Sequence, residues 1–457
     1  MRLRGGGQCA AVCRDSRCDF MMTSQGLDDT IGNGKGCVCE IASAPRSFEA
    51  ARNLWNSQES MEQEVRSDRF CKISFRGTGS DRPAQERQSM SKKESDMIKG
   101  TAILFMIYHH LFCTPGSIFV PYSHLLGEQG ELRLAWFGKI CVALFAVVSG
   151  YGLCLGFKKY QKRTILNTLR DEYKNILVRV FHFYTLYWYV AGIYCIFWCI
   201  LWKRTIPLGE LILNLLAFSD SINGSWWYAG EYLKLLLLFP LLDLFFARLS
   251  DRRQNRIKAV LFLLLFLALG LQYVCGKMIS ASISAPLFTA AEFFMPDYLL
   301  CFGTGYILAR FDLAEKIRAV MNRWKEPVRI LAGLLLIAAV FAVRTRVTVN
   351  ASYARFDFLL APFFMLGLVL SVGESRHLCG ILSWFGGLSS YMWLIQLLFL
   401  NGILAFLVLS VPQSTCIFLI LTGLTTGASI LLRAGYKGIN MAVGKGRKCR
   451  HAKKEAS

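Results

Sequence analysis

Two side chains near the start of the first long apolar stretch have the types and spacing to do chemistry together. Lys99 and His110 are eleven positions apart, which on a helix is about 1100°, or three turns plus roughly 20°, so both lie on one face. The rise separates them by about 16 Å. Lys99 would sit near one edge of a bilayer and His110 past its middle. Imidazole accepts and returns a proton near neutral pH. A buried histidine beneath a cationic residue could therefore deprotonate a hydroxyl while the cation holds a phosphate. The alternative is that His110 is a hydrogen-bonding residue between helices. His109 is turned about 80° from that face; packing is the preferred reading, and it stays a further site candidate with Glu231 and Gln396.

Other polar groups stand where they are expensive, since an ionisable side chain inside a span costs several kcal/mol or more. Ser149, Gly150 and Gly152 in the second apolar stretch let either a neighbouring helix or a slender ligand approach the backbone. Lys139, before them, could snorkel to the outer interface. Glu231 and Lys234, three apart, are read as an ion pair. Glu292, Asp297, Asp357, Ser389, Ser390, Gln396 and Asn401 could line a cavity or bond a neighbouring helix, with Pro296 expected to kink its helix.

These residues need a scaffold, and composition says which kind. The chain has 457 residues, 54% of them hydrophobic and 18% charged, against about 25% charged in a typical globular protein. Its mean hydropathy is +0.38. A soluble enzyme, a disordered tail protein and a secreted disulfide scaffold are excluded, and an all-α polytopic membrane protein is expected. Ten windows are long enough to span a bilayer, at 97–114, 134–157, 180–202, 226–247, 258–276, 287–309, 328–346, 356–373, 380–402 and 413–433. A shorter apolar segment, 208–218, is re-entrant or interfacial.

The net charge of +21 is largely topology. With the N-terminus inside, the inner loops and the tail hold 27 Lys and Arg and the outer loops hold 7, the asymmetry expected of cytoplasmic loops. Both termini then face the cytoplasm, in a cytoplasmic (inner) membrane. No nucleic-acid partner is expected. Residues 1–95 form a polar, disordered cytoplasmic extension or sequence ahead of a later start at Met61, Met90 or Met97. Residues 96–435 form the membrane domain and 436–457 a basic tail suited to anionic headgroups. Of sixteen cysteines, six (Cys9, Cys13, Cys18, Cys37, Cys39, Cys71) lie in the extension. No zinc spacing appears and no metal is expected.

The motifs resemble those of the acyltransferase 3 family of integral membrane O-acyltransferases, which modify bacterial cell-surface and secreted glycans. Lys99 and His110 match its pattern of a basic residue, ten residues and a histidine. Phe145–Leu153 (FAVVSGYGL) is similar to its second-span pattern, Gly386–Phe399 to its late GxxSmxiWLiH motif, and the run 226–242 to its WWY segment. Where that late motif often has histidine, this chain has Gln396, which can orient a group but not relay a proton at neutral pH.

The resemblance implies an acyl-CoA donor, most simply acetyl-CoA, and an acceptor hydroxyl on a glycan or lipid-linked glycan. His110 would be the general base. Lys99 would attract the donor's phosphates, and the donor's arm would pass Ser149 and Gly150; help from Arg163 and Arg179 of the basic loop is inferred from charge alone. A transporter or exporter is the competing reading, although no inverted repeat is visible. A membrane sensor or scaffold without catalysis is another.

Overall fold

The computed structural model describes residues 90–113, 122–157, 165–203, 205–247, 295–347, 356–373 and 375–455. Among them every named element is helical, and the sole β-type contact is an isolated bridge between Ser123 and Gln413. The expected window at 258–276 and the first part, 287–294, of the window at 287–309, with Glu292 and Arg163, lie outside the described residues.

The first helix, α1 (Lys92–Phe112), begins on a capping box. Ser91 Oγ accepts from the Glu94 N–H at 3.2 Å, and Glu94 accepts from the Ser91 N–H at 2.7 Å, so two donors that the first turn leaves orphaned are satisfied. The other Glu94 oxygen is held by Arg318 at 2.7 Å. That ion pair ties the start of α1 to a short helix far along the chain. Next come α2 (Glu128–Gly138) and α3 (Ile140–Phe157), one apolar span interrupted at Lys139. In this span 72% of the most apolar window is buried by protein, so it is the central rod of the bundle.

Around it stand α4 (Ile165–Trp202), the short α5 (Leu208–Leu215) and α6 (Trp227–Ala247), which follows a 3-10 turn over Gly224–Trp226. The second half has α7 (Pro296–Arg310), α8 (Leu313–Met321), α9 (Glu326–Val347) and α10 (Asp357–Ser371). It ends with α11 (Arg376–Gly386), α12 (Ser389–Ile395), α13 (Gly402–Leu409) and α14 (Ser414–Glu455). The expected kink at Pro296 is instead a helix start, where a proline lacks no bond. The tail expected beyond residue 436 is helical, continuous with α14.

Four of these helices are long and apolar enough to cross a membrane: Glu128–Phe157, Leu169–Leu201, Glu326–Arg346 and Ser414–Ala442. A fifth span is counted if the pair Arg376–Gly386 and Ser389–Phe399, bent by 51°, is one crossing. Only 11% of the α9 window is covered by protein, so α9 presents most of its apolar surface outward.

Two crossings are close because neither helix has a side chain at the contact. A Cβ on Gly100 would run into the Leu382 carbonyl, and one on Gly386 into the Asp96 carbonyl, which fixes α1 against α11. Gly150 and Gly305 do the same for α3 and α7, facing the carbonyls of Phe302 and Val147. Small residues at helix contacts are the usual means of close approach in a bilayer, where lipid tails give helices no hydrophobic reason to associate.

Candidate functional site

The site is built at the far end of α1. His109 and His110 point into a cavity of about 60 Å³, with Met106 one turn below. Across from them are Lys139 at the α2–α3 break and, from the turn into α6, Ser225, Trp227 and Tyr228. Trp393 of α12 closes another side. The volume suits a few waters, or the reacting atoms of two substrates rather than a whole cofactor.

The walls are fixed by hydrogen bonds between distant segments. Trp393 Nε1 donates to the Ser225 carbonyl at 2.9 Å, and Trp226 Nε1 to the Leu394 carbonyl at 3.1 Å. Asn223 also donates to Leu394. These bonds tie the bent late segment to the WWY turn. Trp227 and Tyr228 pack on Tyr298 with ring centroids 5.3 and 6.0 Å apart, giving one flank an aromatic wall.

His109 and His110 have ring centroids 5.6 Å apart, and their surroundings differ. His109 Nδ1 lies 2.8 Å from the Ala135 carbonyl oxygen. That carbonyl is available because the helix breaks: the Lys139 N–H, which an unbroken helix would direct to Ala135, reaches Trp136 at 3.3 Å instead. Gly138 permits the approach, since a Cβ there would lie 2.7 Å from the Phe105 carbonyl and 3.3 Å from His109 Cβ. His109 lines the cavity, and its partner comes from another helix, which a helical wheel of α1 alone does not show.

His110 has the amide of Gln396 beside it. The two are near enough to interact, yet His110 Nδ1 and both Gln396 amide atoms are buried without a partner in hydrogen-bond geometry. A small rotation of either side chain would pair Nδ1 with one of the two amide atoms, which is the favourable outcome for buried polar groups.

Behind the break is a buried ion pair that the sequence did not reveal. Arg344 of α9 holds Asp357 through Nε–Oδ1 at 2.8 Å and Nη2–Oδ2 at 3.0 Å. Its Nη1 donates to the carbonyls of Trp136 at 2.7 Å and Phe137 at 3.1 Å. The guanidinium also lies 5.6 Å from the centre of the Phe137 ring. Both charged side chains are 2% exposed.

The other expected residues lie elsewhere. Lys99 is at the opposite end of α1, partly exposed and paired with Asp96 at 3.1 Å. Ser149 is half-buried on α3, and Gly150 forms the α3–α7 crossing. Neither lines the cavity. Arg179 of α4 lies over the Phe157 ring at 5.8 Å, by the end of α3. Glu231 pairs with Lys234 at 2.6 Å and accepts the Met295 N–H at 2.8 Å, joining α6 to the start of α7. Lys139 lines the cavity. Among the described residues no group of three or more His, Cys, Asp and Glu is placed to hold a metal ion.

A family model described as an acyltransferase domain, acyltransferase 3, matches residues 92–434. The chain belongs to the acyltransferase 3 family. The match includes α1, the break, the WWY turn and the bent late segment, which together form the cavity. No curated protein and no solved structure matches the chain significantly. As an acyltransferase 3 protein with apolar helices of spanning length, it is a membrane acyltransferase.

Proposed function

We propose that this acyltransferase moves an acyl group, most simply acetyl, from acyl-CoA to a hydroxyl of a cell-surface, secreted or lipid-linked glycan. The observation that carries this reading is the cavity itself, where His110 stands beside Gln396 between an aromatic wall and a lysine. A flat aromatic flank suits the apolar face of a sugar ring. The protein would lie in the cytoplasmic membrane with both termini inside and ten spans, as its loop charges favour.

In this mechanism Gln396 accepts from His110 Nδ1–H, leaving the lone pair on Nε2. Nε2 takes the proton of the acceptor hydroxyl as its oxygen attacks the thioester carbonyl. The tetrahedral intermediate collapses, the carbon–sulfur bond breaks, and the thiolate leaves with the proton returned by the imidazolium. At the other end of α1, Lys99 attracts the anionic phosphates of the donor, joined by Arg163 and Arg179, and the pantetheine arm passes along Ser149 and Gly150. The ion pair with Asp96 sets the Lys99 ammonium at a defined place near that edge.

Titration of the purified protein with acetyl-CoA tests the donor half. Saturable binding that weakens in Lys99→Ala and persists in His110→Ala is expected. No binding by an intact, folded preparation would remove acyl-CoA as the donor and favour a transporter.

A further inference from the structure

At the break between α2 and α3 the Lys139 N–H turns from Ala135 to Trp136, and three successive carbonyls receive side-chain donors. Ala135 receives His109 Nδ1, and Trp136 and Phe137 receive Arg344 Nη1. A carbonyl oxygen can only accept, so the nitrogen 2.8 Å from it must carry the proton. The imidazole is thereby locked with its lone pair on Nε2. The residue lines the cavity.

Arg344 supplies the side-chain donor to two of the three carbonyls. Its side chain is 2% exposed, and so is that of Asp357. Burying such a pair gains little stability over apolar residues of the same volume. Here the guanidinium uses one edge on Asp357 and its remaining terminal nitrogen on the two carbonyls beside Ala135.

We propose that His109 is a second hydrogen-bond-accepting imidazole of this cavity, and that Arg344 and Asp357 are positioning residues that hold its tautomer through the α2–α3 break. With ring centroids 5.6 Å apart, the two imidazoles present two lone pairs to one acceptor. A polyol with neighbouring hydroxyls fits this pattern: one hydroxyl is deprotonated at His110 while the next donates a hydrogen bond to His109. The functional meaning rests on the acyl-transfer reading above, whereas the tautomer is measurable without any substrate.

The test is nitrogen-15 NMR of the full chain in nanodiscs with labelled histidine. The chain has six histidines, and the His109 signal is assigned by its loss in His109→Asn. The expected result is the Nδ1–H form for His109 in the unaltered protein. In Arg344→Lys, which keeps the charge but cannot serve the carboxylate and both carbonyls, that form gives way to a mixture. The double variant Arg344→Met, Asp357→Leu leaves no unpaired buried charge, and so tests the same loss if Arg344→Lys fails to accumulate. An Nε2–H form in the unaltered protein overturns the tautomer. An unchanged His109 signal in the double variant overturns the positioning role. Neither result depends on whether acetyl-CoA binds, so failure of the acyl-transfer reading is told apart.

Discussion

His109 Nδ1 lies 2.8 Å from the Ala135 carbonyl oxygen, an acceptor that an uninterrupted helix would have directed to the Lys139 N–H. One helix break thus does two things. It turns a backbone carbonyl into the anchor of an imidazole, and it places Lys139 on the same cavity as both histidines. A rigid span would have offered neither.

If His110 is the base, His110→Ala should lower acyl transfer by about 10²–10⁴-fold while donor binding stays close to that of the unaltered protein. Separate titration and turnover measurements on one preparation check this. Equal loss of binding and turnover would point to a structural role.

Gln396 is fully buried beside His110. Gln396→Leu, which keeps the bulk and removes the amide, should cost about 10-fold or more in turnover, the scale seen when the partner of a working histidine is removed. Gln396→His, which restores the residue common in the family pattern, should retain much more activity. A Leu variant as active as the unaltered protein would show that Gln396 only fills space.

Arg344→Ala should destabilise the protein by about 3–5 kcal/mol, because it strands the Asp357 carboxylate without its partner. The double variant Arg344→Met, Asp357→Leu should recover most of that loss, since replacing a buried ion pair with apolar groups is often neutral. Thermal unfolding in detergent compares the two. A double variant no more stable than the single would mean that the carbonyl bonds, lost from both, dominate over the stranded charge.

Gly386→Val should open the α1–α11 crossing, since even a Cβ there meets the Asp96 carbonyl. Overpacking of this kind costs about 1–3 kcal/mol. Gly152→Ala is the control, because a Cβ at that position meets nothing within 4 Å. Lower melting temperature and membrane yield in the first and not the second is the expected pattern.

Much of the scaffold was legible because bilayer helices announce themselves as apolar windows, and the observed helices at Lys92–Phe112, Trp227–Ala247 and Asp357–Ser371 follow them closely. The Glu231–Lys234 pair was legible from its spacing of three. Arg344 was not. It ends an apolar run, where a charge reads as a loop residue at the interface, and its partner Asp357 is thirteen positions on, in another helix. The break at Lys139 was hidden too, since hydropathy is continuous through it while the interruption is in the backbone. The contact of His109 was hidden for the same reason: its partner is a carbonyl on a different element, and helical periodicity describes only one helix at a time.

The central claim, acyl transfer to a glycan hydroxyl through His110, is tested most directly on whole cells. NMR of surface and secreted glycans before and after mild alkali would compare cells with the intact gene, a deletion and His110→Ala. The account predicts that a set of base-labile esters is present in the first and absent from the other two, with the variant protein still in the membrane. Esters unchanged in His110→Ala would contradict it, as would a deletion that removes a glycan altogether and alters no ester, which is the behaviour of an exporter.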